Sequence, residues 1–101
     1  MSQPARFSQI ARREIAQALR DIERRRAREA LSEAVQRAAQ RLGENPSLGS
    51  VRPPFSPRFR FWSLPRFGYV LAYDPNSVPV EILRCVHTRR DLPQILGELL
   101  A

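Results

Sequence analysis

Apolar side chains recur every three or four residues in the first part of the chain, which is the spacing of one face of a helix. One apolar stripe covers residues 11–22 and a second covers residues 27–42, with no Gly or Pro inside either. The two stripes are out of phase, because the turn after the first stripe falls on arginine. The pattern therefore predicts two antiparallel helices joined around residues 23–28. Ser8 is expected to cap the first helix, and Gly43 to end the second.

The second part of the chain has the short alternating runs that are typical of β-strands. Three such runs cover residues 58–62, 67–73 and 78–86, and a weaker strand is expected over residues 4–8. A short closing helix is expected over residues 91–100. This order predicts one α+β domain made of the whole chain. It would have a three- or four-stranded antiparallel sheet, with the N-terminal helical hairpin packed on one face.

Charge changes this picture, because all 17 basic residues are arginine and only 10 residues are acidic, for a net charge of +7. Such an excess indicates an acidic partner: nucleic acid, an anionic membrane surface or an acidic protein. A chain without lysine has no lysine Schiff base and no P-loop lysine. Its one Cys and one His cannot form a tetrahedral Cys/His zinc site or a disulfide framework. We therefore expect no metal and no cofactor.

The location of the protein is predicted from its hydrophobic runs and its single cysteine. No apolar run has the length that is needed to cross a bilayer, and the first residues lack the apolar region of a secretory signal. An unpaired Cys85 fits a reducing compartment. We expect a soluble cytoplasmic protein that does not use a membrane.

The strongest local signal is the alternation of arginine and aromatic residues in the first long strand. On a strand, Arg58, Arg60 and Trp62 share one face. Phe59 and Phe61 share the other face, which we expect to pack on the helices. The arginine face would then be exposed and could bind phosphate or an acidic peptide. The same pattern also fits an amphipathic strand whose solvent face happens to be arginine.

Several segments, taken in order, are similar to a known family. Residues 80–87 followed by residues 90–92 look like an ending in which an EILR strand runs into a His and then into RDL. Residues 6–22 look like the first strand and helix of the same family, and residues 67–73 look like its central strand. Over roughly residues 5–97 the chain thus resembles the RelE/ParE superfamily of bacterial toxins from type II toxin–antitoxin systems, on the ParE side.

The resemblance implies a small α+β fold and a cognate antitoxin that wraps the toxin. RelE-like members of the superfamily cut mRNA on the ribosome, whereas ParE-like members poison DNA gyrase. The expectation here is a toxin that binds DNA gyrase and that has no catalytic residues. The residues expected to bind the target are Arg58, Arg60, Trp62, Arg66, Arg89 and Arg90.

Two other functions stay open at this point. One is a ribosome-dependent endoribonuclease, in which His87 would act with Arg66, Arg89 or Arg90. The resemblance weighs against it, because Val70 stands where the nucleases usually have arginine, and because Tyr69 and Tyr73 are expected in the core. His87 is then interpreted as structural. The other function is that of an arginine-rich protein that binds nucleic acid.

Overall fold

The structure is a computed structural model, and it describes residues 3–52 and 56–89. Two helices precede most of the sheet in the chain, so the α+β prediction is confirmed. The helix that the sequence predicts over residues 91–100 lies outside the described residues. The elements are β1 (Arg6–Phe7), α1 (Gln9–Arg20), α2 (Arg25–Glu44), β2 (Arg60–Leu64), β3 (Tyr69–Asp74) and β4 (Glu81–His87).

The helical hairpin begins where the sequence predicts. Ser8 is the N-cap of α1, and its side-chain oxygen accepts a hydrogen bond from the Ala11 N–H at 3.0 Å. This bond satisfies one of the N–H groups that lack a partner in the first turn of a helix. Residues 21–24 separate the two helices. The tip carries an exposed ion pair between Arg25 and Glu29 at 3.3 Å, with the spacing of one helical turn.

The prediction that Gly43 ends the second helix is wrong. The helix α2 continues to Glu44, and Asn45 is its C-cap. A Cβ atom on Gly43 would collide with the carbonyl oxygen of Gln3. The glycine is therefore required by the close approach of the N-terminal segment rather than by the end of the helix.

The four strands form one sheet in the order β1-β4-β3-β2. The pairs β2–β3 and β3–β4 are antiparallel, but β1 runs parallel to β4, with Phe7 beside Ile82. The sheet is therefore mixed, and the expectation of a fully antiparallel sheet is wrong. The alternation of side chains gives the faces of a strand but not its direction, and two residues are too few to show either.

Buried side chains form two clusters, one on each face of the sheet. The larger cluster joins both helices to the sheet, and its members include Leu31, Leu42, Leu71, Tyr73 and Ile82. The smaller cluster contains no residue of α1 or α2 and is made of Phe59, Phe61, Val70, Ala72 and Val86, with Leu83 packed against it.

The two faces of β2 are the reverse of the prediction. Trp62 lies beside Leu71 and packs against the cluster that contains the helices. Phe61 lies beside Ala72 and belongs to the cluster on the opposite face. Alternation predicts which residues share a face, but it carries no information on which face the helices cover.

Candidate functional site

Arg60 is only half-exposed, because its guanidinium group is hydrogen-bonded to the loop after α2. One of its N–H groups donates to the carbonyl oxygen of Gly49 at 2.7 Å, and a longer contact of 3.4 Å reaches the carbonyl oxygen of Ser47. The expectation of a freely exposed Arg60 is thus wrong, because the loop folds back onto β2. Ser50 pairs with Phe61 in the same region through two backbone hydrogen bonds.

The hydroxyl group of Tyr73 fixes this loop from inside the core. It donates to the carbonyl oxygen of Pro46 at 2.6 Å and accepts from the Gly49 N–H at 2.8 Å. The side chain has no exposed surface, and its burial raises the pKa of Tyr73 above the usual value, against the opposing effects of Gly49 and Arg60. Tyr73 is a core residue, as the sequence predicts.

Four arginine side chains lie over aromatic rings on β2 or next to its ends. We call this set the arginine edge. Each guanidinium carbon is within the range at which a cation is attracted to the face of a ring. The distances to the ring centroids are 5.2 Å for Arg41 over Trp62, 5.6 Å for Arg52 over Phe61, 5.5 Å for Arg58 over Phe59 and 5.5 Å for Arg66 over Phe67.

The arginine edge contains two arginines that the predicted target-binding set lacks. Arg41 comes from α2, so only the tertiary structure brings it to Trp62, and no sequence signal marks it. Arg52 comes from the loop before β2 and donates to the hydroxyl of Ser63 at 2.9 Å. Among the described residues, the ion pairs involve Arg6, Arg25 and Arg84, so none of them neutralises the arginine edge.

His87 lies at the end of β4, beside a groove of about 420 Å³. The ring of Tyr69, its cross-strand neighbour, meets the imidazole edge to face at 5.4 Å. The backbone N–H of Arg89 donates to Nδ1 of His87 at 3.3 Å. Tyr69 therefore packs at the margin of the core and also lines the groove, together with Thr88.

The four residues proposed for a nuclease do not all meet at this groove. His87 and the exposed Arg89 line it, but Arg66 lines a separate cavity of about 320 Å³ between α2 and the turn after β2. Arg37 lines the same cavity as Arg66. Arg90, which was predicted both for target binding and for the nuclease, lies outside the described residues.

The side chain of Glu14 connects α1 to the margin of β4. No pattern in the sequence predicts this contact. Its carboxylate accepts hydrogen bonds from Nε and Nη2 of Arg84, the shortest at 2.9 Å. It also accepts from the backbone N–H of Cys85 at 2.9 Å. The carboxylate thus takes the place of a neighbouring strand at this point of the sheet.

Cys85 is a free cysteine that is buried in the core. Burial raises the pKa of its thiol from 9.0 to about 12, and the negative charge of Glu14 contributes to the same direction.

This shift predicts a loss of stability in alkaline solution. Below pH 9 the thiol is protonated in both the folded and the unfolded chain, so the stability is complete there. As the pH rises towards about 12, the unfolded chain releases the proton and the folded chain keeps it. Urea unfolding should show that about 2 kcal/mol of the decline between about pH 8 and pH 10.5 disappears in Cys85→Ala. An equal decline in both proteins would contradict the assignment.

A second groove, of about 250 Å³, lies between the two helices. It is mainly apolar, with Phe7, Ile15, Leu19 and Val35 among its lining residues, and Arg12 also lines it. A groove of this kind suits the apolar face of a partner helix.

Neither α1 nor α2, the two helices among the described residues, has an apolar stretch that could span a bilayer. No three His, Cys, Asp or Glu side chains of those residues form a group that could hold a metal ion.

Comparison with protein families identifies a match. A family model for the ParE toxin of type II toxin–antitoxin systems matches residues 5–92, a region that contains every helix and strand described above. A search of curated proteins found no match.

Proposed function

The chain belongs to the ParE toxin family of type II toxin–antitoxin systems, and from this premise we propose that it acts in the cytoplasm by inhibiting DNA gyrase. Membership of the family also implies a cognate antitoxin as partner. The observation that carries the proposal is the chemistry of the His87 groove, which is better suited to binding than to breaking a phosphodiester bond.

Cleavage of RNA by its own 2′-hydroxyl needs a base, an acid for the leaving oxygen and cations for the negative charge that develops. The backbone N–H of Arg89 donates to Nδ1 of His87, so this ring nitrogen already accepts a hydrogen bond within the protein. The hydroxyl of Tyr73 is buried and bound to the loop after α2. Val70 is fully buried in the smaller cluster, on the face of the sheet opposite the helices. These features support toxicity through binding.

A ribosome-dependent endoribonuclease is the second candidate, and one observation favours it. Tyr69, His87 and Arg89 line the same groove, so two groups that can transfer a proton and one cation lie on its wall. Arginine itself stays charged far above neutral pH and supplies only the cation.

Two assays decide between these functions. The purified protein is expected to inhibit supercoiling by gyrase and to stabilise gyrase–DNA breaks, and it should leave mRNA intact on programmed ribosomes. His87→Ala should keep the activity against gyrase, because the proposal gives the imidazole no chemical role. Codon-aligned mRNA cleavage that vanishes in His87→Ala would replace the gyrase proposal with the nuclease.

The antitoxin provides an internal control for the gyrase assay. We propose that it covers the apolar groove between α1 and α2, and that its acidic residues face the positive surface of the toxin. Supercoiling should return when the antitoxin is added in equal amount. Supercoiling that stays inhibited although the two proteins bind would show that this partner does not neutralise the toxin.

A further inference from the structure

The arginine edge flanks β2 on both faces of the sheet, because Arg41 and Arg66 lie over rings of the larger cluster and Arg52 and Arg58 lie over rings of the smaller one. Among the described residues, no ion pair neutralises these positive groups. Arg41, Arg58 and Arg66 are exposed, and Arg52 is half-exposed. Contact with a ring restricts each side chain, so less conformational freedom is lost when a ligand binds. A guanidinium group has five N–H donors, and contact with the face of a ring leaves those donors free to bind oxygen.

The aromatic rings under these groups restrict the kind of nucleic acid that fits. Recognition of single strands depends on exposed rings on which unpaired bases stack. Phe59 and Phe61 are buried, and the rings of Trp62 and Phe67 are each covered by an arginine. The rings of the arginine edge that the structure describes thus offer no open stacking surface beside the cations, which favours contact with a phosphate backbone.

We propose that the arginine edge binds the phosphate backbone of duplex DNA. The inference rests on the proposed function in one respect, which is that the DNA would be the segment held by gyrase. Toxin bound to both the enzyme and its DNA would oppose release of that segment. Contacts of this kind are independent of sequence and depend strongly on salt.

The apolar groove and the arginine edge lie in different places, so we assign them to different partners. The groove lies between the two helices, whereas the arginine edge follows β2 and its two ends. An acidic peptide needs apolar contacts as well as charge for tight binding, and the groove between the helices supplies them. The phosphate backbone needs only the array of cations.

Fluorescence anisotropy with a duplex of about 20 base pairs, without gyrase, tests the proposal. For four phosphate contacts, the logarithm of the binding constant should fall against the logarithm of the salt concentration with a slope of about −3.6. The affinity should then drop about 150-fold between about 50 and 200 mM salt. A single-stranded oligonucleotide of the same length should bind more weakly. Equal or tighter binding of the single strand would overturn the preference for the duplex.

Two variants, each of which lacks four positive charges, distinguish binding by the arginine edge from binding by net charge alone. The edge variant combines Arg41→Gln, Arg52→Gln, Arg58→Gln and Arg66→Gln. The control variant combines Arg13→Gln, Arg20→Gln, Arg26→Gln and Arg28→Gln, which are exposed positions on the helical hairpin. The edge variant should lose most of the affinity and most of the slope, and the control variant should keep both. Thermal unfolding checks that both variants are folded, and if the edge variant is not, the four single changes are used.

The other outcomes overturn either the inference on the arginine edge or the proposed gyrase target. No duplex binding by the unmodified protein at about 50 mM salt would remove the proposal, since electrostatic binding is strongest at low salt. Equal loss in the two variants would assign the binding to net charge. An edge variant that keeps DNA affinity but loses antitoxin affinity would assign the surface to the peptide partner. If duplex binding depends on salt and is lost in the edge variant while the unmodified protein fails to inhibit supercoiling, the inference on the arginine edge stands and gyrase is refuted as the target.

Discussion

Replacing Phe61 by alanine is expected to lower the free energy of unfolding by about 3–5 kcal/mol. Its side chain is 3% exposed and is a central member of the cluster on the face of the sheet opposite the helices. Removal of the ring leaves a cavity beside Ala72, whose own side chain is too small to fill it. For a domain of this size the melting temperature should fall by about 4–8 °C for each kcal/mol lost. Urea or thermal unfolding measures both quantities.

Ser63→Ala is the matched control for Phe61. Ser63 lies two residues along β2 on the same face, but it is exposed, and the change removes only the hydrogen bond from Arg52. The loss should be about 0.5 kcal/mol, as for most surface substitutions. If Phe61→Ala cost no more than Ser63→Ala, the second cluster would not contribute to folding.

Replacing Glu14 by alanine should cost about 3 kcal/mol, although the residue lies outside both hydrophobic clusters. The change leaves Arg84, whose side chain is 12% exposed, without its carboxylate. It also removes the acceptor of the Cys85 N–H. Breaking such a pair costs more than forming it contributes, because a charge remains in a partly buried place. The partial exposure of Glu14, at 20%, puts the expected loss at the lower end of the usual range.

Two further variants isolate the cause of this loss. Glu29→Ala removes the exposed ion pair with Arg25 and should change the stability by less than about 0.5 kcal/mol. Glu14→Gln keeps an oxygen that can accept from Cys85 but removes the charge, so its effect should fall between the other two. A loss in Glu14→Ala as small as that in Glu29→Ala would show that the pair with Arg84 contributes nothing to the fold.

The sequence predicts the helices and strands well because their signals are local. The N-cap at Ser8 and the change in apolar phase between the helices depend on residues close together in the chain. The parallel pairing of β1 with β4 could not be predicted, because the partners are more than 70 residues apart. The role of Gly43 could not be predicted for the same reason. Its conformation is usual for a helix, and its contact with Gln3 comes from tertiary packing.

The structure bears on the exposure of the predicted site residues, not on what they bind. Arg58 and Arg66 are exposed, and their binding role stays a prediction, whereas Arg60 is held by Gly49 and Trp62 is covered by Arg41. A pattern along one strand contains no information on what a neighbouring helix or loop places over it. For Arg90 the binding role stays a prediction.

The two margins of the sheet have a consequence for the association of one copy of the protein with another. An open strand margin can pair with the same margin of a second molecule, and repeated pairing leads to aggregation. At β4 the short β1 ends after Phe7, and beyond it Ser8 and Glu14 bind the backbone of Leu83 and Cys85. At β2 the surrounding arginines repel an identical margin. Both margins therefore oppose extension of the sheet by a further copy, and a stronger tendency to aggregate in Glu14→Ala would follow from the loss of one of these protections.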